Sequence, residues 1–74
     1  MKTPQQIKEY AQIAHLYFAE GTFSEKEVYI WMGDYGLTVN KLLKTRIEFT
    51  YYIDLFETKM TIWKNGKAEV KTNI

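Results

Sequence analysis

The apolar positions follow two rhythms, a three-four spacing up to residue 43 and strict alternation from Ile47 onward. The first rhythm opens at Thr3-Pro4-Gln5-Gln6. There the threonine hydroxyl can cap a first turn, proline suits the first helical position, and Gln6 can reach back to complete a capping box. This predicts a helix over about 4–20, with Ile7, Tyr10, Ala11, Ala14, Tyr17 and Phe18 on one stripe read as core and Gly21 as its left-handed terminator. Leu16 falls on the opposite face with Gln5, Glu9 and Gln12. Ser24-Glu25-Lys26-Glu27 repeats the capping signature and predicts a second helix over about 25–34. Its inward stripe is Val28, Trp31, Met32 and Tyr35, Gly36 lies past its end, and Tyr29 and Ile30 lie off the stripe. A third, short helix is predicted over about 39–45, with Val39, Leu42 and Leu43 inward and Asn40, Lys41 and Lys44 outward.

From Arg46 the alternation of Ile47, Phe49, Tyr51, Ile53 and Leu55 with Arg46, Glu48, Thr50, Tyr52 and Asp54 predicts a strand over about 46–56. Val39, Leu42, Arg46, Phe49, Ile53, Phe56, Met60 and Trp63 also keep a three-four spacing, so a coiled coil competes. The β-branched and aromatic content and an arginine at a seam position favour the strand. Two more strands follow, over about 59–64 and 67–72. A tip at Glu57-Thr58 pairs Leu55 with Met60 and Ile53 with Ile62. In the second hairpin a plain Asn65-Gly66 turn puts unlike faces together. A turn at Lys64-Asn65 with Gly66 as a left-handed bulge pairs Ile62 with Ala68 and Met60 with Val70. The predicted fold is α+β, a single domain over 1–74. Two or three N-terminal helices pack on one face of a three-stranded antiparallel β-meander, over Ile47, Phe49, Ile53, Leu55, Met60, Ile62, Ala68 and Val70.

Size limits what such a fold can do. A chain of 74 residues buries only about 60% of its unfolded surface, which leaves little room for a deep cleft. The chain has no cysteine, so no disulfide framework supports it, and a reducing, cytoplasmic setting is expected. No apolar run reads as a signal peptide or membrane span, so no membrane association is expected. The net charge of +1 points neither to a strongly basic nucleic-acid binder nor to an acidic mimic of one. Its distribution is uneven: residues 1–37 carry three lysines against five acids, and the remainder seven bases against four acids.

The sheet offers the first candidate contact surface. In the predicted register Tyr52 stands opposite Trp63 on the face away from the helices, with Phe56 near one end and Lys67 across from Trp63. Either these rings form a cross-strand packing pair, or they anchor a protein partner. Residues 46–50 have no counterpart in a middle strand starting near Lys59, and such an unpaired edge is a route to a homodimer. Aromatic rings on an open sheet beside lysines could also stack single-stranded nucleic acid, although Glu48, Asp54 and Glu69 on that face oppose phosphate.

Tyr17-Phe18-Ala19-Glu20-Gly21-Thr22-Phe23-Ser24, Val28, Met32-Gly33, Gly36-Leu37-Thr38 and Leu42-Leu43-Lys44 together resemble a winged helix-turn-helix domain over residues 17–46. That resemblance implies a DNA-binding regulator in which a helix enters the major groove beside a β-hairpin wing. It would place Asn40, Lys41, Lys44 and Arg46 against DNA, with either the hairpin at Lys64 to Lys67, which brings in Lys64, or that at Glu57 to Lys59 as the wing.

Catalytic chemistry has no footing in the sequence. His15 is the single histidine and reads as a surface or half-buried residue, and the carboxylates are scattered singly, so no acid–base pair, metal set or cofactor is expected. The expected function is that of a non-catalytic protein-binding module acting by occlusion through Tyr52, Phe56, Trp63 and Lys67. Small chains of this kind are typical of accessory proteins of phages and mobile elements, including inhibitors of host proteins. The alternative is the winged-helix DNA-binding regulator.

Overall fold

Both helices begin where a side chain satisfies the free N–H groups of a first turn. In the computed structural model, which describes residues 2–72, Thr3 accepts from the Gln6 N–H, and the Gln6 side chain accepts from the Thr3 N–H. Helix α1 then runs Pro4–Ala19. Ser24 and Glu27 exchange the same pair of bonds, and α2 runs Glu25–Asp34. Each box closes donors that the helix cannot satisfy internally. We expect Ser24→Ala to cost about 1 kcal/mol and to lower the thermal midpoint by roughly 4–8 °C, as read by circular dichroism.

Neither helix carries a base in its last turn. Lysines distant in sequence cap them instead. Lys44 Nζ donates to the Phe18 carbonyl at the end of α1, and Lys2 Nζ donates to the Tyr35 carbonyl at the end of α2. Each ammonium also sits over the ring of the residue it caps, at 4.5 Å for Phe18 and 4.3 Å for Tyr35. Positive charge at these carboxyl ends opposes the partial negative charge of the helix dipole.

After the helices come four strands rather than three: β1 Thr38–Leu42, β2 Arg46–Ile53, β3 Phe56–Trp63 and β4 Ala68–Thr72. They form one antiparallel sheet in the order β1-β2-β3-β4. The segment expected as a third helix is β1. Val39 and Leu42 sit three residues apart, a spacing that fits one helix face. In the sheet, an irregularity between Val39 and Lys41 inserts Asn40 as an extra residue, so Val39 pairs with Phe49 and Leu42 with Ile47 on the same side. The bulge absorbs the helical spacing.

The first hairpin turns at Asp54-Leu55, not at Glu57-Thr58. Asp54 takes the left-handed backbone at φ 55°, a conformation that Asp tolerates better than most residues. The turn leaves Leu55 94% exposed, against the expectation that it is core. In exchange β2 pairs with β3 along its whole length, and Ile47 meets Ile62 and Phe49 meets Met60. The slip from the expected register is an even number of residues, so the strand residues from Arg46 to Ile53 and from Lys59 to Trp63 keep their expected faces, while Phe56, now the first residue of β3, moves to the helix side. Residues 47–50 pair with β3 on one side and β1 on the other, and the Arg46 carbonyl accepts from the Leu43 N–H, which removes the unpaired edge on which a homodimer through residues 46–50 rested. In the second hairpin, Gly66 at φ 95° forms the expected bulge, and Met60–Val70 and Ile62–Ala68 pair as predicted.

One core joins the layers. Ile7, Ala11 and Ala14 of α1 and Val28 and Met32 of α2 pack with Leu37 over Ile47, Phe49, Tyr51, Met60 and Ile62. His15 belongs to this core and not to the surface. It is 1% exposed, and its Nε2–H donates to the Leu43 carbonyl at 2.8 Å, which fixes the tautomer. Leu16 is half-buried.

Candidate functional site

The alanines of α1 set up a row of packed aromatic rings between the two helices. Ala11 and Ala14 are fully buried, and such small side chains let α1 lie close to the sheet. The large rings of both helices are thereby displaced to the seam between α1 and α2. Tyr10 and Tyr17 lie two turns apart on α1, Trp31 lies on α2 with Tyr35 capping the end of that helix, and Phe23 comes from the connection. Tyr17 meets Phe23 edge-on at 5.1 Å, Phe23 meets Trp31 at 5.1 Å, Trp31 meets Tyr10 at 5.5 Å, and Tyr10 stacks on Tyr35 at 3.9 Å. Lys2 closes the row over Tyr35. The Tyr10 hydroxyl donates to the Trp31 carbonyl at 2.8 Å, tying α1 to α2. Burial, then the Asp34 charge, then Tyr35 push the Tyr10 phenol above its ordinary pKa, so it remains a donor in the neutral range.

This row is partly open to solvent. Trp31 is 38% and Tyr17 39% exposed, and Ile13, on the same side of α1, is 47% exposed. Because each ring already leans on a neighbour, little rotamer freedom remains to be lost on contact. The rim of Trp31 is acidic: Glu27 and Asp34 stand one turn to either side on α2. By sequence, Tyr10, Tyr17, Trp31 and Tyr35 read as core because they continue the apolar stripes. The signal that separates them is size, since two short helices, one of them lying close to the sheet on Ala11 and Ala14, cannot bury four large rings in a domain this small.

The sheet face away from the helices is different. Tyr52 pairs with Glu57 and Trp63 with Arg46, so the two rings are not opposite one another. They lie six residues apart along β3, a separation of about 20 Å. Tyr52 is exposed and, among the described residues, stands without an aromatic neighbour on that face; Trp63 is half-buried with Lys67 over its ring at 5.5 Å. Phe56, opposite Ile53, points to the helix side. Trp63 and Lys67 are thus paired as expected, while Tyr52 and Phe56 are not brought together with them.

The residues expected at DNA, Asn40 and the bases Lys41, Lys44, Arg46 and Lys64, are also dispersed, on strands and turns and not on a helix. Asn40 accepts from the Thr50 hydroxyl at 2.6 Å, Lys44 is held at the end of α1, and Arg46 is paired with Glu48 at 2.7 Å. Lys41 stands opposite Glu48 on β1, and Lys64 follows β3 in the turn.

A shallow cleft lies between the start of α1 and the end of β2, lined by Lys2, Pro4, Ile7, Tyr52, Ile53 and Asp54. Beside it the Tyr51 hydroxyl is buried without a hydrogen-bond partner, and burial raises its pKa. Among the described residues no three His, Cys, Asp or Glu side chains gather as a metal site, and no helix is long and apolar enough to cross a membrane. No protein family, curated protein or solved structure matches the chain.

Proposed function

We propose that this chain is a non-catalytic protein-binding module that docks through the α1–α2 seam and acts by occluding its partner's surface. The observation that supports this reading is the continuous row of mutually packed, partly exposed rings from Tyr17 through Phe23 and Trp31 to Tyr10. Tryptophan and tyrosine in such settings are the residues that most often anchor interfaces. Trp31 is the central anchor, Ile13 and Tyr17 extend the contact along α1, and Glu27 and Asp34 select a partner surface with a basic rim. This shifts the contact from the sheet residues to the helices, because the sheet separates Tyr52 from Trp63 while the seam joins its rings.

The experiment is an affinity capture from nuclease-treated host lysate with the wild type, Trp31→Ala and Trp63→Ala in parallel. The specific band is expected to vanish with Trp31→Ala, which costs about 2 kcal/mol or roughly thirtyfold in affinity, and to persist with Trp63→Ala. Unaltered far-ultraviolet dichroism must accompany the loss. Capture indifferent to Trp31 would remove the reading. Retention of a DNA duplex at low salt, lost on Lys41→Ala with Lys64→Ala, would favour the DNA-binding regulator instead.

A further inference from the structure

We propose that the outer edge of β4 is a self-association surface, on which a second copy of this chain adds its own β4 antiparallel, with Val70 facing Val70 across a two-fold axis. β4 is the last strand of the sheet, and Glu69, Val70, Lys71 and Thr72 are all exposed.

Backbone geometry fixes which residues can pair. Trp63 N–H donates to the Lys67 carbonyl at 2.8 Å, so this pair is of the hydrogen-bonded kind. Bonded and non-bonded pairs alternate along an antiparallel ladder. Thr61–Glu69 and Lys59–Lys71 are therefore bonded pairs, and the backbone groups of residues 69 and 71 are turned inward to β3. Those of Ala68, Val70 and Thr72 point to the open edge. A two-fold centred on Val70 sets Val70 against Val70 and Ala68 against Thr72 as bonded pairs, and so uses each of these open groups. Centring on Glu69 or Lys71 would face groups that are already engaged.

The same register solves a charge problem. Within one chain Lys71 stands directly opposite Lys59, and like charges so placed destabilise a sheet. In the two-fold pair Glu69 faces Lys71 of the second copy, twice over, at non-bonded positions where side chains approach most closely. The half-open Val70, 51% exposed, gains its symmetry mate on the helix side. A lysine on an edge strand ordinarily discourages pairing; here the Glu-x-Lys order makes the edge complementary to its own reverse. The opposite edge, β1, offers no such match, because the Asn40 bulge breaks its ladder. The short strand implies a weak, concentration-dependent dimer.

Sedimentation equilibrium of the full chain tests this. Expected is a monomer–dimer equilibrium at high micromolar concentration that weakens as salt rises. Val70→Pro should leave a monomer with native dichroism, since its N–H faces the open edge and proline removes no bond made within one chain. Glu69→Lys alone should weaken the dimer about tenfold, and Glu69→Lys combined with Lys71→Glu should restore it. A wild type monomeric throughout that range overturns the proposal, as does a dimer indifferent to Val70→Pro or a double reversal no tighter than the single one.

Discussion

Phe49→Ala is expected to remove about 3–5 kcal/mol of stability, because the truncation empties the centre of the core. Phe49 is the largest fully buried side chain, enclosed by Val39 on β1 and Met60 on β3, with the Tyr51 ring 6.0 Å away. It sits in the middle of the sheet, where no flexible segment can collapse into the space left behind. A domain of this size has roughly 4–11 kcal/mol in total. The urea midpoint should therefore fall by about a third or more, with the slope of the transition unchanged. Fluorescence of Trp31 and Trp63 reports the transition from both layers. Leu55→Ala, at a site almost wholly open to water, is the internal control and should shift the midpoint by no more than about 0.5 kcal/mol.

His15→Ala is expected to cost about 2–4 kcal/mol, through two effects that can be separated. The first is a cavity among Ala11, Ala14 and their neighbours. The second is the Leu43 carbonyl, which accepts the Nε2–H bond at 2.8 Å and would be left without it beside the β1–β2 turn. His15→Phe keeps the bulk and removes the donor, so it should retain about 1–3 kcal/mol of the loss. If His15→Phe were as stable as wild type, the bond to Leu43 would contribute nothing and packing alone would explain the burial. Urea titration at neutral pH measures both variants.

The elements legible in the sequence are those whose signals are local. Thr3 with Gln6 and Ser24 with Glu27 mark helix starts through side-chain chemistry confined to one turn, and the structure makes all four bonds. Gly66 marks a hairpin whose register follows from matching faces. Sequence and structure part where two physical effects give the same pattern. Val39, Leu42 and Leu43 fit a helix by spacing, and only the pairing partner Ile47–Phe49, together with the Asn40 bulge, places this segment in a strand. The Asp54 turn carries no glycine to announce it, and the gain that selects it, a full-length β2–β3 ladder, is visible only once both strands are aligned. His15 lies four residues after Ala11 and on the buried stripe, yet its polarity argues for the rim unless a backbone acceptor awaits it inside. The candidate site was the least legible. Apolar periodicity shows which side of a helix avoids water, but not how far around the cylinder the covering layer reaches, so rings at the seam and rings in the core look alike.

The extra residue in β1 has a consequence for assembly. Asn40 interrupts the ladder at the β1 border of the sheet, so on the proposed β4 pairing a second round of strand addition at β1 is disfavoured and the assembly is expected to stop at a closed pair. One asparagine out of step with its neighbours thus works against open-ended stacking into fibrils, the hazard of a small sheet with two regular borders.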